Sequence, residues 1–279
     1  MSNIKISAFA DEYAAPFLEQ LKALEQFGIA YVELRHLNGK NISVLDQSEV
    51  KEAKHMMDAF GIRASAIGSP LGKIRLDGDI RAHLDMARRV FEFANILGTN
   101  LIRVFSFYAP DGKELFDRKG EVLDALEGMI LLAREYGVTL CHENEARIYG
   151  DIPSRCKELL AYFGGELKCV FDMGNFVLEG VDSYPAYMLL RDDIAYFHIK
   201  DALSVGAVVP PGKGDAQIKE ILAAHRQYAK EDFFVSLEPH LATFSGLTAI
   251  RTGKFENPYV YENEKIAFAD AVKKLKELI

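Results

Sequence analysis

Cysteine is scarce in this chain: Cys141, Cys156 and Cys169 are an odd set with no close pair spacing. That argues against a disulfide framework or a thiolate zinc site and leaves three reduced thiols in or near a core. Linkers rich in Ser, Gly or Pro, single-residue tracts and long charge blocks are also missing, so one domain over residues 1–279 is expected. No apolar run is long enough to span a bilayer. The opening Met1-Ser2-Asn3-Ile4-Lys5 enters an apolar strand without the charged start, apolar stretch and cleavage site of a secretion leader, and the expected address is the cytoplasm. Basic residues are outnumbered, 33 Lys and Arg against 41 Asp and Glu, for a net charge of −8. Nucleic-acid affinity rests on Lys and Arg displacing counterions from phosphates, so no nucleic-acid partner is expected, and no membrane partner either. What remains is 279 residues, 49% of them hydrophobic and 27% charged, enough for one α/β barrel slightly above minimal length.

Short β-branched or apolar runs alternate with longer amphipathic segments from end to end, the pattern of repeated β-α units on a parallel sheet. Residues 4–9, 30–34, 62–67 and 101–105 read as four strands, and residues 138–143, 167–172, 194–199 and 233–238 as four more. Between them, apolar residues recur at helical spacing, as in Phe17, Leu21, Leu24 and Phe27, or Val122, Leu126, Ile130 and Leu131. Three such segments run into Gly28, Gly61 and Gly137 just before the next strand, as a left-handed helix C-cap requires. A last helix is expected from about Glu264 to the end. Eight alternations, with no Gly-rich phosphate loop after the first strand (Phe9-Ala10-Asp11-Glu12), predict an α/β fold, a single (β/α)8 TIM barrel. Residues 245–261 are too polar and too punctuated by Gly and Pro for a helix and are expected to form a long loop after strand eight.

Groups able to bind metal stand at the ends of four successive strands, where parallel barrels assemble their sites: Glu143, Asp172, His198 and Glu238. Three carboxylates and an imidazole make a hard, oxygen-rich shell suited to one divalent ion, Mn²⁺ foremost, with Mg²⁺, Co²⁺ or Zn²⁺ as alternatives. Without a cation the carboxylates cannot all stay ionised in a dry barrel mouth, so either metal binds or a pKa rises. Each residue taken alone also has a structural explanation, a helix cap for an acid or a core position for a histidine; the coincidence at four strand ends is the argument.

The stretches His142-Glu143-Asn144-Glu145, Phe171-Asp172-Met173-Gly174-Asn175, Phe197-His198-Ile199-Lys200-Asp201, Pro211-Gly212-Lys213-Gly214-Asp215 and Ser236-Leu237-Glu238-Pro239-His240 together resemble the xylose isomerase-like sugar phosphate isomerase/epimerase superfamily. The resemblance covers nearly the whole chain. It implies a metal-dependent isomerase or epimerase of a small carbohydrate, with Glu143, Asp172, His198 and Glu238 as ligands and Glu143 and Glu238 as the acid/base pair of an enediolate mechanism. Two departures stand against ketohexose 3-epimerases: Asn175 where those enzymes usually have a His, and Ala202-Leu203-Ser204 where they usually carry an Arg. The His198-Ile199-Lys200-Asp201 run is similar to that of inosose dehydratases, so a metal-dependent dehydratase is the alternative, followed by a barrel that binds sugar without turning it over. A nuclease of the endonuclease IV kind requires additional histidines, and Val104-Phe105-Ser106 at strand four supplies none.

The substrate-binding candidates are Arg35, Asn175, Lys200, Asp201 and His240. Lys200 can meet a substrate oxygen, or pair locally with Asp201 behind His198. Arg35 can take an anionic group bidentately or form an ion pair, and at least one of Glu33, Arg35 and His36 should face the barrel mouth by strand alternation. Ser69, Lys73 and Arg75 after strand three are weaker candidates, as is Arg103, for which a buried ion pair is the plain alternative. Asp215 is expected to cap the following helix, making Pro211 to Asp215 an ordinary Gly-rich turn. Phe105, Phe107, Tyr108 and Tyr149 wall a pocket or merely pack. A homo-oligomer is compatible with the sequence.

Overall fold

The computed structural model describes residues 2–111, 114–241, 257 and 259–279. Eight strands, β1 (Ile4–Ala8), β2 (Tyr31–Leu34), β3 (Arg63–Ile67), β4 (Leu101–Val104), β5 (Thr139–Glu143), β6 (Leu167–Asp172), β7 (Ile194–Ile199) and β8 (Phe233–Leu237), form one sheet in the order β1-β8-β7-β6-β5-β4-β3-β2. Every pairing is parallel. The two ends of that order, β1 and β2, lie side by side, and the sheet rolls into the expected (β/α)8 TIM barrel. Each strand read from the sequence agrees with the structure to within one residue at either end.

The outer ring comprises α1 (Phe17–Gln26), α2 (Gln47–Ala59), α3 (Ile80–Leu97), α4 (Lys119–Tyr136), α5 (Pro153–Tyr162), α6 (Met173–Leu178), α7 (Ser183–Leu190), α8 (Ile218–Tyr228) and α9 (Glu264–Leu278). Phe17, Leu21 and Leu24 of α1 are buried, one stripe of a 3.6-residue period facing the sheet. Val122, Leu126 and Ile130 do the same on α4, whereas Leu131 lies outside the stripe and is 49% exposed. The C-terminal glycines Gly28, Gly61 and Gly137 have φ of 62°, 66° and 67°, the left-handed conformation expected of them. Asp46 and Glu49 close a capping box at the start of α2. Asp215, by contrast, does not cap α8: its Oδ2 accepts from Ser204 N at 2.7 Å, and the residue before the helix is Gln217.

Two short hairpins, His36–Leu37 with Lys40–Asn41 and Asp201–Leu203 with Ala207–Val209, extend the loops after β2 and β7. Neither was evident in the sequence. The loop expected over residues 245–261 lies outside the described residues apart from positions 257 and 259–261. The main core fills the space between sheet and helices. A second, smaller cluster of Ala66, Cys141, Val170 and Tyr196 plugs the barrel interior. Small residues pack beside it, with Ser7 and Ser65 sharing a hydrogen bond of 2.7 Å. All three cysteines are free and buried. No helix among the described residues is long and apolar enough to cross a membrane.

Candidate active site

Strand alternation aims every second side chain into the barrel, and the register sets their heights. Asp172 of β6 lies opposite His198 of β7, which lies opposite Ser236 of β8. Glu143 ends β5, and Glu238 follows β8 directly. The four side chains expected to form a metal shell each offer one ligand atom, and these atoms lie within 4.8 Å of one another. All four are buried. The donor set suits a hard divalent ion. Glu143 Oε2 is moreover buried without a hydrogen-bond partner, although the Arg103 guanidinium stands 3.2 Å away. An orphaned carboxylate oxygen in a ring of carboxylates is what a cation would satisfy, so the residues fit a metal.

His198 bridges two levels of the site. Its Nδ1 lies 2.9 Å from Glu143 Oε1 and 3.4 Å from Glu238 Oε2, inside the ligand ring. Its Nε2 points the other way, 3.1 and 3.2 Å from the two oxygens of Glu33, which also accepts the Tyr196 hydroxyl at 2.9 Å. A carboxylate on the far nitrogen fixes the tautomer and orientation of a ligating imidazole. Glu33 is thus one of the strand-two residues that face inward, but this contact with His198 was not evident in the sequence.

Asp172 divides its oxygens. Oδ1 accepts from Asn175 N at 2.8 Å and caps α6, while Oδ2 accepts from Lys200 Nζ at 2.9 Å. Asn144 ties the ends of β5 and β6 by exchanging two bonds with the backbone of Asp172, at 2.9 and 3.0 Å. Asn175 donates to Asn144 O at 2.8 Å and lies 3.5 Å from Glu143 Oε1, so it belongs to the same cluster.

Three cations share the mouth with these acids. Lys200 reaches Asp172, Glu238 Oε2 at 3.2 Å and Asn175 Oδ1 at 3.1 Å. Arg103 pairs with Glu143 at 3.2 Å and Glu238 at 3.6 Å, the buried ion pair that was its plain alternative. Arg35 joins Glu238 at 2.9 Å, Asp11 at 2.8 Å and Glu12 at 3.2 Å, with its guanidinium over the ring of Phe9. Metal or a raised pKa are therefore not the only ways to settle the acids; the barrel supplies cations of its own. Against six acids (Asp11, Glu12, Glu33, Glu143, Asp172 and Glu238), these three cations leave three excess negative charges before the histidines are counted. A divalent ion reduces that excess to one.

The proton affinities follow from this crowding. Burial pushes Glu143 up, but His198 and Arg103 outweigh it and bring its carboxyl down to about 2. Burial likewise opposes ionisation of Glu238, yet Lys200 and His240 hold it well below the usual carboxylate range. Asp172 goes the other way, up to about 6: it is fully buried, and the neighbouring Glu143 and Glu238 leave Lys200 unable to compensate. Burial works against the His198 imidazolium, but Glu33 and Glu143 carry it well above its ordinary range.

The other expected residues have more local duties. Asp201 faces away from Lys200: its oxygens accept four backbone N–H groups, from Ala202 (2.9 Å), Ala216 (3.1 Å), Gly212 (2.7 Å) and Gly214 (2.9 Å). It shapes the loop and keeps no free carboxylate oxygen for a ligand. His240 lies 3.4 Å from Glu238 and 3.2 Å from Glu12, at the edge of the ring. Lys73 pairs with Glu145, and Arg75 with Asp77 and Asp111, all at the surface. Ser69 is buried and donates to Arg103 O. Phe105 and Phe107 are fully buried, and Tyr149 hydrogen-bonds Glu158 at 2.7 Å, so these three pack; Tyr108 is half-buried and bridges Arg75 and Ile148 through its backbone. Asp11 and Glu12, on the turn after β1, were overlooked as partners of Arg35.

Eight parallel strands in a nearly closed barrel, with three carboxylates and an imidazole at the strand ends that could hold a metal ion, define the class of this protein. This chain belongs to the xylose isomerase-like TIM barrel family, which matches residues 21–254, as the sequence motifs implied. Comparison with curated protein sequences finds no match. Among solved structures, the fold is similar to a probable 3-DHS dehydratase, AsbF, from Bacillus anthracis (TM-score 0.73, 18% identity, 99% of each chain). It is similar also to the IOLI protein with a bound zinc atom (TM-score 0.74, 17% identity, 100% of this chain and 98% of that one). A third is a D-allulose 3-epimerase from Methylomonas sp. in complex with D-allulose (TM-score 0.74, 13% identity, 100% and 98%).

Proposed function

We propose that this protein is a single-domain, divalent-metal-dependent isomerase or epimerase that moves a proton on a small keto-sugar or related polyol through an enediolate. The observation that carries this reading is the ring of Glu143, Asp172, His198 and Glu238 with ligand atoms within 4.8 Å. These four would hold the ion, with Mn²⁺ foremost. A bound ion would act as a Lewis acid on a hydroxy-ketone, acidifying the C–H of the hydroxyl-bearing carbon next to its carbonyl.

Glu143 and Glu238 arrive from β5 and β8 and both reach the same nitrogen of His198, so two carboxylates flank one point. Glu143 keeps an oxygen without a hydrogen bond and is the base that takes the substrate proton. Glu238 is clasped by Arg35 and Lys200 and stays ionised, ready to accept a proton from the other face. Return of that proton by Glu143 to the neighbouring carbon gives isomerisation; for epimerisation Glu238 must first take a proton from solvent and deliver it to the opposite face, while Glu143 keeps the one it removed. Arg35, Lys200, Asn175 and His240 line the approach to these atoms and bind substrate oxygens, while Asp201 acts through the loop it fastens. The D-allulose complex of a structural neighbour is in keeping with a sugar substrate.

One observation favours a second reading, loss of water from a keto-inositol or keto-sugar. Lys200 is a buried ammonium within the ring, the proton donor that a departing hydroxide needs, and a probable dehydratase stands among the structural neighbours. Metal content of wild type and Glu238→Gln, with solvent deuterium incorporation across keto-sugars and keto-inositols in added Mn²⁺, tests both. Metal near one per chain that is lost in the variant, with deuterium at a substrate carbon, is expected. Product mass then separates isomerisation from dehydration. A chain that binds metal yet exchanges no proton would instead be a sugar-binding barrel.

A further inference from the structure

An ammonium stands among the carboxylates of the ring. Lys200 Nζ lies 2.9 Å from Asp172 Oδ2, 3.2 Å from Glu238 Oε2 and 3.1 Å from Asn175 Oδ1, so each of its three protons has an acceptor. Two of those three acceptors belong to residues of the metal shell. The side chain is 4% exposed, so its charge is balanced by these partners and not by water.

The surroundings are shaped to keep it there. Gly174, in the first turn of α6, packs directly on the lysine: an added Cβ would stand 2.7 Å from Lys200 Cγ and 2.8 Å from its carbonyl oxygen. Asn175, one residue on, supplies the uncharged acceptor. The turn capped by Asp172 thus provides both the space for the lysine stem and two of its three partners.

We infer that Lys200 is a resident counter-cation that competes with the divalent ion for Asp172 and Glu238, stabilising the metal-free barrel and weakening its hold on metal. The inference rests on the metal reading of the site given above. The ammonium and the ion are both positive and claim the same two carboxyl groups. Whether the ammonium withdraws or stays close by, entry of the ion works against it, and removing the lysine charge tightens metal binding. Asn175 is the one partner that the ion does not claim.

The test is a calorimetric Mn²⁺ titration of the chelator-stripped full chain at pH 8, for wild type, Lys200→Met and Lys200→Gln, with thermal melts run with and without Mn²⁺. Both variants are expected to bind Mn²⁺ about tenfold or more tightly than wild type, since a like charge is removed from a few ångströms away. They should melt lower than wild type without metal and gain more from saturating Mn²⁺. Affinity equal to or weaker than that of wild type would overturn the inference and make Lys200 a support for Asp172. Should the Met variant fail to fold, the Gln variant, which keeps a polar group at the site, decides the matter. If wild type binds no Mn²⁺ while a variant does, the competition stands and the metal-dependent function falls; if none binds, both fall.

Discussion

Replacing Glu33 by Gln removes one charge from beneath His198 and leaves the shape of the side chain. In the native barrel both Glu33 oxygens lie 3.1 to 3.2 Å from His198 Nε2, and the Tyr196 hydroxyl donates to one of them at 2.9 Å. A hydrogen bond to a charged group contributes about 1.5–3 kcal/mol. Loss of a carboxylate behind a ligating histidine lowers metal affinity about 10- to 100-fold, or about 1.4–2.7 kcal/mol, so two independent routes meet in one range. Mn²⁺ titration of Glu33→Gln at pH 7.5 should therefore show a dissociation constant raised by about one to two decades. Tyr196→Phe, which removes only the bond that steadies Glu33, should cost less, about 1 kcal/mol. Circular dichroism would establish that both variants fold. An unchanged affinity in a folded Glu33→Gln would refute the reasoning: either His198 is not a ligand, or its ring is held by the barrel wall alone.

Three more consequences are open to measurement. Glu143→Gln should lower solvent-proton exchange into substrate by about 10²- to 10⁴-fold, the usual worth of a positioned base, and full exchange activity would remove Glu143 from that role. Asp201→Ala strands four backbone N–H groups and should lower unfolding free energy by about 3 kcal/mol in urea titrations; a change below about 0.5 kcal/mol would mean that the loop finds other acceptors. Burial brings the His225 imidazole down to about 4, below its unfolded value. The unfolded chain therefore binds that proton first as pH falls, and this stability, present above about pH 6.5, is lost toward pH 4. Asp172, raised to about 6, contributes with the opposite sign, so the comparison is with a variant: His225→Gln should flatten the fall relative to wild type, and parallel profiles would rule the histidine out as its source.

The barrel was legible because its signals are local. Each strand is a short apolar run, and a polar residue that ends such a run at the C-terminal mouth, as Glu143, Asp172, His198 and Glu238 do, has one place to point. What supports those four was not legible, because the partners meet across the barrel. Arg35 and Glu238 are 203 residues apart, and Glu33 and His198 are 165 apart. No spacing in a single chain announces such pairs. The pairing of Lys200 with Asp201 is different, for strand alternation sends adjacent side chains to opposite sides and already argues against it. Lys200 follows the parity of His198 into the ring; Asp201 turns outward to the loop. Asp215 misled for a related reason: a good N-cap residue stood near a helix start, but a second backbone amide, that of Ser204, claimed it.

Asp172 serves two masters, with one oxygen on the first turn of α6 and the other on the cation of the ring. Substitution by Asn preserves an acceptor for the turn and discards the charge, whereas Ala discards both. Architecture and reactivity are thus separable at a single position, by the loss of one formal charge. On the function proposed above, such a barrel would fall silent as a catalyst while its walls stand, a short mutational route from an enzyme to a folded receptor.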